Sequence, residues 1–345
     1  MSTVNSQLSI IYLGTPEFAV AGLKALVENG YNVVAAVTMP DKPAGRGHQM
    51  QFSPVKEYAL MAGIPVLQPE KLKDEAFVEE LRSYKADLQI VTAFRMLPEV
   101  VWAMPRLGTF NVHGSLLPQY RGAAPINWAV INGEKETGLT TFMLKHEIDT
   151  GNMILQEKLA IGPNDDAGLV HDRLMEMSKE MVLKTVRLIE ECDREGKPVP
   201  TTPQPESDDL KPAPKIFKET CEIDFTKTAQ EVHNFIRGLS PYPGAWCDLN
   251  LDSDEPQRVK IFVAEPTTIS RHPNTKIGKP LIAWYDKTIM IPCQDEYLQV
   301  KELQLPNRRR MSVKDVLNGL LSDRGKTPAD FATPSWQEQS FDSRV

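Results

Sequence analysis

Three polar residues carry the clearest chemistry in this sequence. Asn111 and His113 stand two residues apart in Asn-Val-His-Gly-Ser-Leu-Leu-Pro, and Asp149 precedes Gly151 on a later loop. Because alternate residues of a strand project to the same side, the Asn111 and His113 side chains are expected on one face. An amide can donate to a developing oxyanion, and a carboxylate beside an imidazole fixes its tautomer and favours the imidazolium. The set predicts acyl transfer to an amine.

A plainer interpretation applies to each residue taken alone. Asn-x-His before Gly and Pro is also an ordinary exit from strand to loop, in which both side chains satisfy turn backbone. The hypothesis therefore rests on the combination. His146 lies between Lys145 and Glu147, which indicates an exposed loop position, and we leave it out of the site. His171 and His233 fall in predicted helices, where packing or solvent exposure is the default.

Composition bounds the class of protein. The 345 residues are enough for two domains, and 41% hydrophobic with 25% charged residues is typical of globular proteins. No apolar run approaches the roughly 20 residues of a membrane span, and the start lacks the basic region of a signal peptide, so we expect a cytoplasmic protein without membrane contact. Four widely spaced cysteines without a Cys-x-x-Cys pair predict neither a metal site nor disulfides. The net charge of −7 confines nucleic-acid contacts to a few placed Lys and Arg.

The first apolar runs predict a Rossmann-like, doubly wound and mostly parallel α/β sheet. Strand-like runs at Leu8–Leu13 and Val33–Val37 flank a helical pattern at Glu17–Gly30. The turn between the first two, Gly14-Thr15-Pro16, has one glycine and then a proline. It lacks the Gly-x-Gly-x-x-Gly of nicotinamide-cofactor sites, which disfavours an NAD-dependent oxidoreductase.

A second strand exit is expected beside the one that carries Asn111. The buried-type run Asp87–Ala93 leads into Phe94–Leu97, and open α/β sheets bind ligands outside the carboxyl ends of their strands. Another candidate element is Pro40–Lys56, which we predict as a long loop without hydrophobic period. Its Gly45-Arg46-Gly47 tip places one cation between flexible residues, suited to a phosphate or base edge, although a solvated tip fits equally well.

The C-terminal part predicts a second domain. Six prolines between Lys197 and Lys215 predict an extended linker at residues 196–215. It would join a catalytic domain at 1–205 to a domain at 207–320, where short strand-like runs predict an OB-like β-barrel of a kind that often binds nucleic acid. Three consecutive cations, Arg308–Arg310, end that domain and would be either a solvated edge or a contact. The tail at 321–345 is predicted to be poorly ordered.

Several motifs together resemble the methionyl-tRNA formyltransferase family over about residues 10–320. The motifs are Gly14-Thr-Pro-Glu-Phe-Ala19, Pro40-Asp-Lys-Pro-Ala-Gly-Arg-Gly47, Ser53-Pro-Val-Lys56, Asn111-Val-His-Gly-Ser-Leu-Leu-Pro118, Arg121-Gly-Ala-Ala-Pro-Ile126, Asp149-Thr-Gly151, Ala213-Pro-Lys-Ile216 and Met311 through Gly319. The Asn-x-His, Leu-Leu-Pro and Asp set alone resembles every enzyme that uses 10-formyltetrahydrofolate on this fold, including those for glycinamide ribonucleotide and amino sugars. The residue 40–47 loop and the predicted C-terminal barrel distinguish the tRNA enzyme from these other formyltransferases.

The resemblance implies formyl transfer from 10-formyltetrahydrofolate to the α-amine of methionine on initiator tRNA, for translation initiation. It implies a monomer that uses no metal and no nicotinamide. Its catalytic residues would be Asn111, His113 and Asp149. Its folate-binding residues would be Phe94, Arg95, Met96, Leu97, Ser115, Leu116, Leu117 and Pro118, and its tRNA-binding residues Lys42, Arg46, Lys215, Arg308, Arg309 and Arg310.

Four departures from the family pattern spare the catalytic positions: Arg95 replaces a common glycine, Glu147-Ile148 replace Gly-Leu, His48-Gln49 replace basic residues and Asn127 replaces Gln. Two alternatives stay open. A folate-dependent formyltransferase for a small amine, an amino sugar or glycinamide, shares the chemistry but not the Arg46 loop. A non-catalytic tRNA-binding module would leave the three catalytic residues without a purpose.

Overall fold

The computed structural model describes residues 8–44, 49–251, 255–324 and 327. Its contacts divide the chain into two compact units. The first unit comprises residues 1–125, 136–160 and 170–214, and the second comprises residues 126–135, 161–169 and 215–345. We describe each unit by itself.

A seven-stranded sheet organises the first unit, in the order β5-β2-β1-β6-β7-β8-β9. The strands of this unit are β1 (Ser9–Gly14), β2 (Asn32–Val37), β3 (Lys42–Ala44), β4 (Gln49–Gln51), β5 (Val66–Leu67), β6 (Leu88–Thr92), β7 (Thr109–His113), β8 (Glu136–Met143) and β9 (Met153–Ala160). Pairing is parallel from β5 to β7 and antiparallel for β8 and β9. This arrangement confirms the predicted, mostly parallel α/β sheet.

The helices up to residue 195 are α1 (Glu17–Glu28), α2 (Pro54–Met61), α3 (Glu75–Ser83), α4 (Glu99–Trp102), α5 (Pro125–Ile131) and α6 (Ala167–Glu195). Capping explains two of their starts. The Ser53 hydroxyl accepts from the Lys56 amide at 3.1 Å, with Pro54 at the first helical position. The Asp74 carboxylate accepts from the Phe77 amide at 3.2 Å, so α3 begins later than the predicted start near Glu70.

Apolar burial explains how the sheet of the first unit is covered. One cluster packs Ile11, Leu13 and Val37 from the sheet against Phe77 and Leu81 of α3. On α1, a Cβ at Gly22 would lie 2.7 Å from the Tyr12 hydroxyl and 3.0 Å from a Val182 methyl. The absence of that Cβ lets α1 approach β1 and α6 closely.

Two features of the first unit differ from the sequence prediction. The loop predicted at Pro40–Lys56 contains the antiparallel hairpin of β3 and β4, and the edge strand β9 was not predicted. The hairpin strands read Lys-Pro-Ala and Gln-Met-Gln, and neither shows a period of apolar residues. β9 is half-buried or exposed at every position, so its sequence shows only a weak pattern of apolar residues from which a strand could be predicted.

An antiparallel sheet organises the second unit, in the order β10-β11-β14-β13-β12 with β15 beside β14. Its elements are β10 (Ala245–Leu249), β11 (Gln257–Ser270), β12 (Leu281–Ala283), β13 (Thr288–Pro292), β14 (Glu296–Gln304), β15 (Met311–Ser312), α7 (Ala229–Leu239) and α8 (Val313–Arg324). α7 starts with a reciprocal cap: the Glu231 amide donates to the Thr228 hydroxyl at 3.2 Å, and the Thr228 amide donates to the Glu231 carboxylate at 3.0 Å. An antiparallel β domain therefore stands where the sequence predicted an OB-like β-barrel.

Residues 321–324 differ from the poorly ordered tail predicted at 321–345. α8 continues to Arg324, and Leu321 is buried with Val316 and Leu317 in the core of the second unit. The apolar spacing of α8 extends into these residues, which explains the longer helix. The rest of that tail, except Thr327, lies outside the described residues.

Candidate active site

The parallel strands β6 and β7 bring two predicted site segments to one edge of the sheet. Val91 pairs with Asn111 and Thr92 with Val112, so the exits at Ala93 and His113 are neighbours. This confirms the expectation that the two exits lie side by side. Asn111 and His113 both belong to β7 with one residue between them, which places their side chains on one face of the sheet.

His113 is buried, and both of its ring nitrogens face protein groups. Nε2 lies 2.9 Å from the Tyr120 carbonyl oxygen. Because a carbonyl only accepts, this hydrogen bond assigns a proton to Nε2. Nδ1 lies 3.9 Å from Asp149 Oδ2, and the Phe142 ring packs edge-on against the imidazole at 6.4 Å between centroids. Nδ1 is therefore the nitrogen that can face reacting atoms, on the side of the carboxylate.

Asp149 is held at its carboxylate and along its backbone. Its Oδ2 accepts from the Gly122 amide at 3.0 Å, and its φ of 53° lies in the left-handed region, which few residues other than glycine adopt. Two residues later, a Cβ on Gly151 would lie 1.7 Å from the Met143 carbonyl oxygen. Only glycine fits this close approach, so the loop after β8 can fold back to bring Asp149 to His113.

Asn111 has a half-buried side chain, and its carboxamide forms no hydrogen bond with any residue that the structure describes. Both hydrogens of its NH₂ group are thus available to a ligand oxygen. The structure brings the three predicted catalytic residues into one site. Asn111 is unpaired among the described residues, His113 is buried and bonded through Nε2, and the Asp149 carboxylate is held by a backbone amide.

The predicted folate segment Phe94–Leu97 has free main-chain groups. Within the described ranges, its amides and carbonyls form no hydrogen bond. Met96 is 72% exposed, whereas Leu97 is buried against the core of the sheet. The amides and carbonyls of this backbone could form hydrogen bonds with a polar heterocycle such as a pterin ring. An apolar wall beside them could support the face of the ring.

The second predicted folate segment, Ser115–Pro118, is built differently. The Thr140 hydroxyl donates to the Ser115 carbonyl at 2.7 Å, and the Gln156 amide donates to the Leu117 carbonyl at 3.0 Å. Ser115 and Leu117 are buried. This segment is a rigid wall whose exposed surface comes from the half-buried Leu116 and Pro118.

Arg95, which replaces a common glycine of the family, is anchored within the first unit. Its guanidinium donates to the carbonyl oxygens of Pro69 and Glu70, the latter at 2.8 Å. Burial lowers the pKa of this guanidinium. The departure therefore ties the Phe94–Leu97 segment to the residues that precede α3.

Two of the predicted tRNA-binding residues belong to the residue 40–47 loop. Lys42 is exposed on β3, and Arg46 lies outside the described residues. The base of the hairpin is anchored, because Asp41 forms an ion pair with Lys56 and accepts from the Gln68 amide at 2.8 Å. These two hydrogen bonds, the one from Lys56 first, lower the pKa of Asp41.

The other predicted tRNA-binding residues lie in the second unit. Lys215 is exposed, with Nζ 5.4 Å from the Phe217 ring centroid. Arg308–Arg310 lie exposed between β14 and β15. Arg310 donates to Glu302 at 2.6 Å, so one of the three cations is partly neutralised.

A basic groove of about 500 Å³ in the second unit was missed by sequence reasoning. Its lining residues are Lys218, Glu219, Glu222, Pro243, Gly244, Trp246, Arg258 and Lys260. The Arg258 guanidinium stacks on Trp246 at 3.7 Å from the ring centroid, and the Trp246 indole donates to the Lys218 carbonyl at 2.7 Å. Arg258 and Lys260 stand two residues apart on β11, and this spacing in the sequence could have indicated a basic face of that strand.

Neither a metal site nor a membrane-spanning helix is found in the part of the chain that the structure describes. Over residues 8–44, 49–251, 255–324 and 327, no group of three or more His, Cys, Asp or Glu side chains could hold a metal ion. In the same ranges, no helix has the length and apolar character needed to cross a membrane.

The chain matches known families over both units. The formyl transferase family model matches residues 7–186, and the formyl transferase C-terminal domain model matches residues 215–321. The methionyl-tRNA formyltransferase of Bacteroides thetaiotaomicron is 55% identical over 317 residues, which cover 92% of this chain and 97% of that one. The methionyl-tRNA formyltransferase of Flavobacterium johnsoniae is 50% identical over 321 residues, covering 93% and 99%.

Solved structures share the fold at lower identity. An N-formyltransferase from Helicobacter canadensis, in complex with folinic acid and dTDP-3-aminofucose, superposes with a TM-score of 0.62 at 19% identity and covers 88% of this chain and all of that one. HypX from Aquifex aeolicus in complex with tetrahydrofolic acid superposes with a TM-score of 0.58 at 19% identity over 92% of this chain, which spans 48% of HypX. Because these relatives match it at 50–55% identity over more than nine tenths of its length, the chain belongs to the methionyl-tRNA formyltransferase family.

Proposed function

We propose that this chain transfers the formyl group of 10-formyltetrahydrofolate to the α-amine of methionine on initiator methionyl-tRNA. The observation that carries the proposal is one site that joins the free Asn111 amide to the buried His113, 3.9 Å from Asp149. The relatives named methionyl-tRNA formyltransferase support the choice of acceptor over a small amine.

The residues present fit a folate. The unpaired main-chain groups of Phe94–Leu97 would bind the polar edge of the pterin, and Leu116 and Pro118 would contact its apolar surface. When bound, 10-formyltetrahydrofolate supplies an activated formyl carbon whose leaving group is the folate nitrogen. The chain's own residues must then stabilise charge on the formyl oxygen and take a proton from the amine. The bond from the formyl carbon to the folate nitrogen breaks, and that nitrogen leaves with a proton.

Asn111 is the donor best placed for the oxyanion, because its NH₂ hydrogens have no other partner within the described residues. One such donor is typically worth about 10²–10³ in rate. Since His113 Nε2 is bonded to Tyr120, only Nδ1–H of the imidazolium can supply a second donor. Asp149 would stabilise that imidazolium and accept the amine proton directly or through a water, a contribution of about 10²–10⁴.

Binding of the tRNA requires cations that contact its phosphates. We assign this role to Lys42, Arg46, Lys215, Arg308, Arg309 and Arg310, and we add the groove residues Lys218, Arg258 and Lys260. The groove holds three cations and two glutamates, and its Trp246 is half-buried under Arg258. Phosphates would bind the cations, and the strength of binding would depend on salt.

The domain division proposed from the sequence, 1–205 and 207–320 with a linker at 196–215, is supported by the two family models, which leave residues 187–214 between them. In the structure, residues 170–214, which include nearly all of this Pro-rich segment, cluster with the first unit. We therefore propose that the Pro-rich segment works with the catalytic domain.

The decisive experiment supplies purified protein with 10-formyltetrahydrofolate and initiator methionyl-tRNA and detects N-formylmethionine on the tRNA by mass. Parallel reactions contain glycinamide ribonucleotide, an amino sugar nucleotide or free methionine at the same concentration. We expect formylation of methionyl-tRNA alone. Formylation of a small amine instead would establish the alternative, and no formylation of any acceptor would reject the enzyme.

A further inference from the structure

Gln204, in the Pro-rich segment after α6, forms hydrogen bonds at both ends of its carboxamide. Its Nε2 donates to the Asp149 carbonyl and to the Gly151 carbonyl, each at 2.8 Å. Its Oε1 accepts from Arg121 Nε at 3.0 Å and from a second nitrogen of that guanidinium. A carboxamide has two N–H donors and one oxygen with two lone pairs, so every hydrogen-bonding direction of Gln204 is used.

This pattern requires an amide. The guanidinium only donates, which fixes the oxygen of Gln204 toward Arg121, and the two carbonyls only accept, which fixes the NH₂ group toward the loop. A glutamate at this position would keep its partner in Arg121. It would also place an anionic oxygen against the two carbonyl oxygens of the Asp149 loop.

The contacts of Gln204 close a ring around Asp149. Arg121, which holds Gln204, immediately precedes Gly122, whose amide donates to Asp149 Oδ2 at 3.0 Å. Gln204 is therefore bonded to the backbone carbonyl of Asp149. Through Arg121 it is also linked to the Gly122 amide, which holds the Asp149 carboxylate. Asp149 has an uncommon φ of 53°, and a conformation of this kind persists only where its surroundings enforce it.

The same segment also supports the partner of His113. The Tyr120 amide donates to the Lys211 carbonyl at 2.7 Å, and the Ala213 amide donates to the Arg121 carbonyl at 2.9 Å. Tyr120 carries the carbonyl that accepts from His113 Nε2. Both members of the His113 and Asp149 pair are therefore positioned through residues 204–213.

We propose that Gln204 is a positioning residue for formyl transfer, which sets the Asp149 carboxylate opposite His113 Nδ1 through the backbone of the loop. This inference rests on the proposed function. Gln204 contacts no reacting atom, and its effect is exerted through Asp149 and Gly151.

The test compares Gln204→Glu and Gln204→Ala with wild type in steady-state formylation of methionyl-tRNA. We expect kcat to fall about 10- to 100-fold, the cost of a misplaced catalytic group, while KM for tRNA and the melting temperature stay close to wild type. Gln230→Glu, the same change at an exposed position of α7, is the matched control and should leave kcat unchanged.

Amide hydrogen exchange provides a readout independent of activity. Gln204→Glu should speed exchange in peptides that cover residues 119–123 and 149–152, with α6 unaffected. A kcat within twofold of wild type, or a fall in kcat that parallels falls in melting temperature and tRNA affinity, would overturn the proposal. If wild type itself forms no formylmethionyl-tRNA, the proposed function fails, and the exchange result alone decides whether Gln204 positions the loop.

Discussion

The proposed catalytic site of the first unit and the basic groove of the second unit use polar residues in opposite ways. His113 is buried, and its ring is fixed by the Tyr120 carbonyl, while Asp149 is fixed by a backbone amide. In the groove, Lys218 and Arg258 are exposed, and Arg258 also pairs with Asp248 at 3.2 Å. The first region has its geometry set by the backbone, whereas the second offers charge on adaptable side chains.

The functions that we propose for the two regions account for this difference. Charge that develops on one oxygen is stabilised only by donors held at hydrogen-bonding distance, so the supporting contacts matter as much as the donors. A polyanion is attracted through counterion release, which depends on the number of cations rather than on their detailed placement. Substitutions in the two regions should therefore change different kinetic quantities.

The largest effect is expected in the catalytic site. Asn111→Ala and His113→Ala should each lower kcat at least about 100-fold, roughly 3 kcal/mol of transition-state stabilisation, with KM for methionyl-tRNA nearly unchanged. Steady-state formylation at saturating folate measures both quantities. His146→Ala is the matched control, because His146 is exposed on the loop before Asp149, and it should behave like wild type. Near-normal turnover of either catalytic variant would contradict the assignment.

A smaller effect, of the opposite kinetic kind, is expected in the groove. Lys218→Ala with Arg258→Ala should weaken tRNA binding several-fold and make the slope of log K against log salt shallower by about one for each phosphate that is no longer bound. kcat at saturating tRNA should stay unchanged. Lys24→Ala on α1, an exposed lysine paired with Glu28, controls for removal of a surface charge. An unchanged salt slope would remove the groove from the RNA-binding surface.

The smallest effect is expected at the base of the hairpin that carries the predicted Arg46 loop. Asp41→Asn should lower the melting temperature at pH 7, because the Lys56 and Gln68 hydrogen bonds lower the pKa of Asp41 in the folded protein. A depressed carboxyl pKa stabilises the fold above the unfolded pKa of about 3.9, and that contribution is lost as the pH falls through the folded value. Melting curves from pH 7 down to pH 3 should therefore converge for wild type and variant. A difference independent of pH would indicate a packing effect instead.

Local patterns predicted several strands of the first unit. The apolar runs at β1, β2 and β6 were recognised from their sequence, and the placement of Asn111 and His113 on one face of β7 needs only the strand repeat of two. The short hairpin of β3 and β4 and the edge strand β9 lack such a pattern. Their formation depends on pairing with other segments of the chain.

The role of the Pro-rich segment could not be predicted from its amino-acid composition. Its prolines indicate an extended chain, and the sequence predicts a linker there. The structure pairs Thr202 with Met153 at the start of the edge strand β9 and buries Ala213 beside Gly122, so this segment supplies backbone partners to both places. Nothing in the local sequence around Gln204 indicates that its amide meets Asp149.

By itself, the amino-acid sequence determined the class of fold, the strand that carries Asn111 and His113, and the residue types available for acyl transfer, since each depends on short-range periodicity and side-chain chemistry. Only the tertiary structure decided that Nδ1 of His113 faces Asp149, that Asn111 stays unpaired among the described residues, and that Gln204 holds the loop between them. These relations join residues up to 55 positions apart, and hydrogen-bond geometry at that separation arises only when the packed sheet and its loops fix the backbone.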